Sequence, residues 1–219
     1  MKKDLVEMVF ILDRSGSMKG LEADSIGGFN ALIEKQKKLP GEALVSLVLF
    51  DHEFKVIHHR KQIQSIPLLT LADFEVRGST ALVDAIGRSI RKIRSIHDAI
   101  GVDSTPEKTM FIITTDGQEN ASREFNSYQL KRMVEEHQEK DKWEFLFLGA
   151  NMDAFAVAHD LGFKKERTAN YQANREGVGA SFAAAERAVN YMRVKPRSLW
   201  KVEENNLSTL VDEETKKQK

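Results

Sequence analysis

Short apolar runs separated by stretches of helical period set the frame of this chain. Leu5 to Leu12 (LVEMVFIL), Ala43 to Phe50 (ALVSLVLF), Thr109 to Thr114 (TMFIIT) and Trp143 to Leu148 (WEFLFL) are brief and rich in Val, Ile, Leu and Phe. Runs of that kind predict strands buried on both faces, as in a parallel sheet. Glu53 to Ile57 follows the second run after only Asp51 and His52, so it is expected to return antiparallel along a sheet edge. Arg167 to Tyr171 is a candidate for a short final strand.

Helical stripes lie between these runs. Ile26, Phe29 and Ile33 form one, and Leu82, Ile86, Ile90 (or Ser89), Ile93 and Ile96 a second. Asn126 with Gln129 three residues on reads as a capping box ahead of Leu130, Met133 and Val134. A fourth helix is expected from about Asp153 to Leu161, ended by Gly162. Val178, Phe182, Ala185, Val189 and Met192, behind a cap at Asn174, give the last. Gly27 and Gly28 cost the first helix about 1 kcal/mol each relative to Ala, which suggests close packing or a kink there. The alternation predicts an α/β fold: a Rossmann-like, doubly wound, mostly parallel sheet with one antiparallel edge strand and helices on both faces.

No composition break divides the 219 residues, so residues 1–195 are expected to form one domain. After Pro196 the pattern fades. The closing DEETKKQK has no apolar residue, so 196–219 is expected to be a partly disordered extension with a frayed tail, from which Leu199, Trp200 and Val202 pack back on the domain.

Charge and cysteine content narrow the function classes. Thirty-three basic and 33 acidic residues balance to a formal net charge of zero, so no global field favours nucleic acid or a membrane, and neither is expected as a partner. With no cysteine, disulfides, thiolate metal sites and cysteine nucleophiles are excluded and a reducing compartment is the natural setting. The Met-Lys-Lys start leads into a run interrupted by Asp4 and Glu7, unlike a signal peptide. No apolar stretch reaches the roughly 20 residues of a spanning helix. A cytoplasmic protein is expected.

The candidate chemistry sits where strands end. The first strand runs into Asp13-Arg14-Ser15-Gly16-Ser17, and the Thr109–Thr114 strand into Thr115-Asp116-Gly117. Gly78-Ser79-Thr80 lies directly before the second helix. In open α/β sheets ligands bind at that edge. Asp13, Ser15, Ser17, Thr80 and Asp116 thus offer oxygen alone, the ligand chemistry of a hard cation such as Mg²⁺, with Mn²⁺ or Ca²⁺ as alternatives. Two carboxylates neutralise a divalent ion formally and leave an open position attractive to an outside carboxylate.

The DRSGS segment resembles the DxSxS metal motif of von Willebrand factor A (vWA) domains, in particular cytoplasmic members from bacteria or phage. Gly78-Ser79-Thr80-Ala81-Leu82 is similar to the family's second loop and Thr115-Asp116-Gly117 to its third, over about residues 4 to 193. The resemblance implies a metal-ion-dependent adhesion site (MIDAS). In it Ser15, Ser17 and Thr80 would be hydroxyl ligands, Asp13 and Asp116 would act directly or through water, and a protein partner's Asp or Glu would complete the shell. Arg14, Gly78, Ser79, Gly117 and Gln118 would then form the partner-binding rim, and the protein would be an interaction module with no catalytic residue.

Each element has a plainer reading. Asp13, Ser15 and Thr80 could cap helices, and Asp116 beside Gly117 could be a turn. Only their joint order favours a metal site. The alternative function is a Mg²⁺-dependent phosphatase-like enzyme with Asp13 as nucleophile, although such enzymes want a second Asp two residues on, where this chain has Ser15. His52, His58 and His59 are expected to be exposed on the edge hairpin rather than to bind a transition metal. Asp51, His52 and Glu53 are expected near the rim.

Overall fold

A computed structural model describes residues 1–218. Six strands, β1 (Lys2–Asp13), β2 (Glu42–Phe50), β3 (Phe54–Gln62), β4 (Pro106–Thr115), β5 (Glu144–Ala150) and β6 (Thr168–Tyr171), pair in the order β3-β2-β1-β4-β5-β6. All neighbours are parallel except β2 and β3, which are antiparallel. This is the mixed sheet expected from the apolar runs, and the edge strand and final strand both form, the edge strand running on past Ile57 to Gln62. The chain winds outward from β1 to β2 and β3, then crosses back to β4 on the other side of β1. The order therefore reverses between β1 and β4, and at such a switch point the strand ends diverge into a crevice.

Side-chain alternation along β1 divides the core in two. Met8, Phe10 and Leu12 face α1 (Glu22–Lys37), α5 (Arg175–Val194) and α6 (Leu207–Lys217), whereas Val9 and Ile11 face α2 (Leu82–Ile100), α3 (Ser127–Lys140) and α4 (Ala154–Asp160). The stripe on α2 is displaced slightly at its end, where His97 is buried and Ile96 only half-buried. Asn126 and Gln129 form the reciprocal capping box of α3. Asn174 Oδ1 accepts from Gly177 N at 2.8 Å, and Gly162, with φ 82°, follows α4.

The two helix glycines have different roles. A Cβ at Gly28 would lie 2.4 Å from the Phe182 ring, so close approach of α1 and α5 requires glycine there. Gly27 faces open space.

The C-terminal extension departs from expectation. Instead of fraying, residues 207–217 form α6, with Leu207, Leu210 and Val211 buried against the α5 side of the core. Asn206 Oδ1 caps the helix by accepting from Thr209 N. Arg167 Nη1 donates to Asn205 O at 2.6 Å and holds the preceding turn. Trp200 does pack back, with Nε1 donating to Lys195 O at 2.9 Å, but Leu199 and Val202 stay exposed. No helix among the described residues is long and apolar enough to cross a membrane.

Candidate functional site

The switch point puts the last residue of β1 beside the last residue of β4. Asp13 is fully buried there. Its Oδ1 accepts from Ser15 N at 2.7 Å and its Oδ2 from Thr115 Oγ1 at 2.6 Å. The chain then turns through Gly16–Met18 as a 3-10 turn, which brings the Ser15 and Ser17 hydroxyls within 3.1 Å of each other. Ser17 Oγ in turn donates to Asp116 Oδ1 at 2.6 Å. Thr80 arrives from the loop before α2. A Cβ built on Gly117 would sit 2.8 Å from Thr80 Oγ1, 3.1 Å from Ser17 Oγ and 3.5 Å from Ser15 Oγ. Glycine leaves open a cradle that any side chain would fill, and three hydroxyls face it.

Helix capping does not account for these groups. Ser15 opens the 3-10 turn without a side-chain capping bond, and the N-cap of α2 is Ala81, which has no side chain to cap with.

The electrostatics are unusual for a protein interior. Burial pushes the Asp13 carboxyl up to about 6, against the hydrogen bonds from Thr115 and Ser15, and the nearby Asp116 raises it further. Burial likewise raises Asp116. Asp116 Oδ2 is buried with no hydrogen-bond partner, a condition that normally costs about 1–3 kcal/mol or more. The donor set is two carboxylates and three hydroxyls, all oxygen, which suits a hard divalent cation. Among the described residues no group of three or more His, Cys, Asp or Glu is gathered where it could hold a metal. An ion at this site would lean on hydroxyls and on ligands from outside.

Four of the five rim positions reach the surface: Gly78, Ser79 and Gln118 are exposed and Gly117 is half-buried. Arg14 does not. Its side chain is buried, with Nη2 3.0 Å from Asp51 Oδ2, so it cannot contact a partner directly. Strand alternation explains this, because Asp13 and Arg14 point to opposite sides of the strand end. Asp51 is equally buried, and it accepts a hydrogen bond from Arg77 Nε at 3.2 Å. His58 too is buried, contrary to expectation, and burial lowers its pKa.

Sequence reasoning missed two neighbours of the carboxylates. Thr115 was visible only as part of the motif, yet its hydroxyl orients Asp13. Tyr171, which ends β6, is buried with its hydroxyl 3.4 Å from Thr115 O, and its ionisation is suppressed by burial and by the charges of Asp116 and Asp13. A tyrosine at the end of a buried strand was the available signal.

No protein-family profile matches the sequence, and no curated protein matches it. Solved structures do share its fold. The ArnB paralog VWA2 from Sulfolobus acidocaldarius is 18% identical with a TM-score of 0.56, over 82% of this chain and 44% of that one. A von Willebrand factor type A protein from Catenulispora acidiphila is 14% identical with a TM-score of 0.56, over 82% and 41%. The vWF domain of the type V pili tip protein Mfa5 from Porphyromonas gingivalis is 11% identical with a TM-score of 0.57, over 88% and 97%. The chain thus has the fold of von Willebrand factor A domains, and its match spans less than half the length of the first two of these structures.

Proposed function

We propose that this chain is a metal-dependent protein-interaction module rather than an enzyme. Asp13, Ser15, Ser17, Thr80 and Asp116 would hold a divalent cation of the Mg²⁺ type, Mn²⁺ and Ca²⁺ being the alternatives. The cation would supply an open coordination position for an Asp or Glu of a protein partner. Gly78, Ser79, Gly117 and Gln118 would frame that contact, and the absence of cysteine from the sequence suits work in the cytoplasm.

The observation that carries this reading is the buried, unpartnered Oδ2 of Asp116 beside a cradle faced by three hydroxyls. Buried carboxylates are ordinarily paired with cations or coordinate metals, and a bound ion would resolve both the orphaned oxygen and the raised Asp13 and Asp116. The phosphatase reading is disfavoured by sequence, because such an enzyme wants a second Asp two residues after Asp13, where this chain has Ser15.

Thermal unfolding of the chelated protein, titrated with Mg²⁺, Mn²⁺ and Ca²⁺, tests the reading. Ligand at a hundredfold over Kd should add about 2.7 kcal/mol. The Asp13→Ala, Ser15→Ala double variant should show no such rise. An unresponsive wild type would sink the metal site. Turnover of an aryl phosphate that is lost in Asp13→Asn would restore the enzyme reading.

A further inference from the structure

The start of α2 is capped by a different part of the chain. Its N-cap, Ala81, has no capping side chain, and a helix start exposes backbone N–H groups that must find acceptors. Those acceptors come from the β4–α3 loop, about forty residues away in sequence. Glu119 Oε2 accepts from Val83 N at 2.8 Å, and Ser122 Oγ accepts from Asp84 N at 3.0 Å. Asp84 answers by accepting from the backbone of Arg123, Glu124 and Phe125 at 2.9 to 3.0 Å. Glu119 also folds its own loop, its Oε1 taking Ala121 N and Ser122 N at 2.9 and 2.7 Å.

Asn120 completes the connection on Thr80 itself. Thr80 N donates to Asn120 Oδ1 at 2.9 Å, and Asn120 N donates to Thr80 O at 3.0 Å. Both backbone polar groups of Thr80 are thereby fixed to a loop that begins at Asp116. Thr80 sits one position ahead of the N-cap, Ala81, and the Val83 N–H that a capping side chain would take is occupied by the Glu119 carboxylate of the other loop.

We infer that Glu119 and Asn120 are positioning residues that fix the Thr80 backbone at the head of α2 and so place its hydroxyl relative to Asp116, and thereby tune the affinity of the site for its cation. The inference rests on the metal reading proposed above. Outer groups that orient ligands typically change metal affinity 10- to 100-fold when removed. Glu119 and Asn120 would act in this way without touching the ion.

Calorimetric titration of the chelated full chain with Mn²⁺ tests this on wild type, Asp13→Ala, Asn120→Ala and Glu119→Gln, with amide hydrogen exchange read at Thr80. Asn120→Ala is expected to bind roughly 10- to 100-fold more weakly and to exchange the Thr80 amide faster. Asn120→Asp, which retains an oxygen for Thr80 N, is expected to recover much of the affinity, a rescue that a general loss of packing would not show. If Asn120→Ala does not fold, Glu119→Gln, which preserves size, carries the same comparison. Variants that bind within about twofold of wild type overturn the inference and leave the metal site standing. A wild type that binds no more Mn²⁺ than Asp13→Ala overturns the metal site and this inference together.

Discussion

Two buried carboxylates on β1, six positions apart, are treated in opposite ways. Glu7 is fully buried and meets Arg60 Nε and His97 Nε2, each at 2.7 Å. Asp13 is just as buried but meets only a backbone amide and a threonine hydroxyl. The chain supplies Glu7 with the Arg60 guanidinium from β3 and the His97 imidazole from α2. To Asp13 it supplies neutral donors, and it adds a second carboxylate, Asp116, nearby. Burial alone therefore does not mark a functional acid. What sets Asp13 apart is burial without a cationic partner beside a second carboxylate, where the equally cation-free Asp84 has three backbone amides.

Removing each acid in turn separates these roles. Glu7→Ala strands Arg60 and His97 and should cost about 3–5 kcal/mol in urea unfolding. If that variant still folds in the cold, it should retain the metal-induced rise in stability, since Glu7 lies outside the site. Asp13→Asn in chelator should cost nothing or stabilise, because a buried charge with no cationic partner is replaced by a neutral amide of the same shape. A comparable loss from both substitutions would end the distinction.

Acidity sharpens it further. The folded chain holds the Asp13 proton up to about pH 6, whereas an unfolded carboxyl releases it near 3.8. Between those values the unfolded state binds fewer protons, so the contribution of Asp13 to stability is fully present below about pH 4. It is lost as pH rises through 6, by an amount on the order of 3 kcal/mol in the metal-free protein. Asp13→Asn should remove that slope in a pH series of urea midpoints. Metal should bind more weakly below pH 6, where proton and ion compete.

The smallest effect expected is at Gly117. Gly117→Ala would push a methyl group to 2.8 Å from Thr80 Oγ1, and overpacking of this kind costs about 1–3 kcal/mol. The clash is present without metal, so the chelated protein should melt a few degrees lower, and metal affinity should fall as well, roughly tenfold or more.

Much of this was legible in the sequence, for reasons that differ by region. The strands were readable because burial on both faces demands unbroken apolar runs, Asp13, Ser15, Ser17 and Asp116 because they follow those runs, and Thr80 because it precedes a helix. The pairing of Arg14 with Asp51, 37 positions apart, was not, since any of many charges could have matched it until the β2–β3 turn was placed beside the β1 end. The α6 helix was hidden by its own charged end. Yet Leu207, Leu210 and Val211 carry the i, i+3, i+4 spacing, and Asn206 the cap, that had identified the other helices. The trans cap from Glu119 was out of reach, because local sequence records only that Ala81 cannot cap.

The parallel pairing of β1 with β4 also bears on how the site comes into being. Leu12 lies opposite Thr114, and bringing such distant segments together carries a loop-closure cost that slows folding. Asp13 and Asp116 meet only through that closure, so an ion of the proposed site would find no binding place in the unfolded chain. The rate such an ion changes would date the closure: faster refolding if it precedes the transition state, a longer native lifetime if it follows.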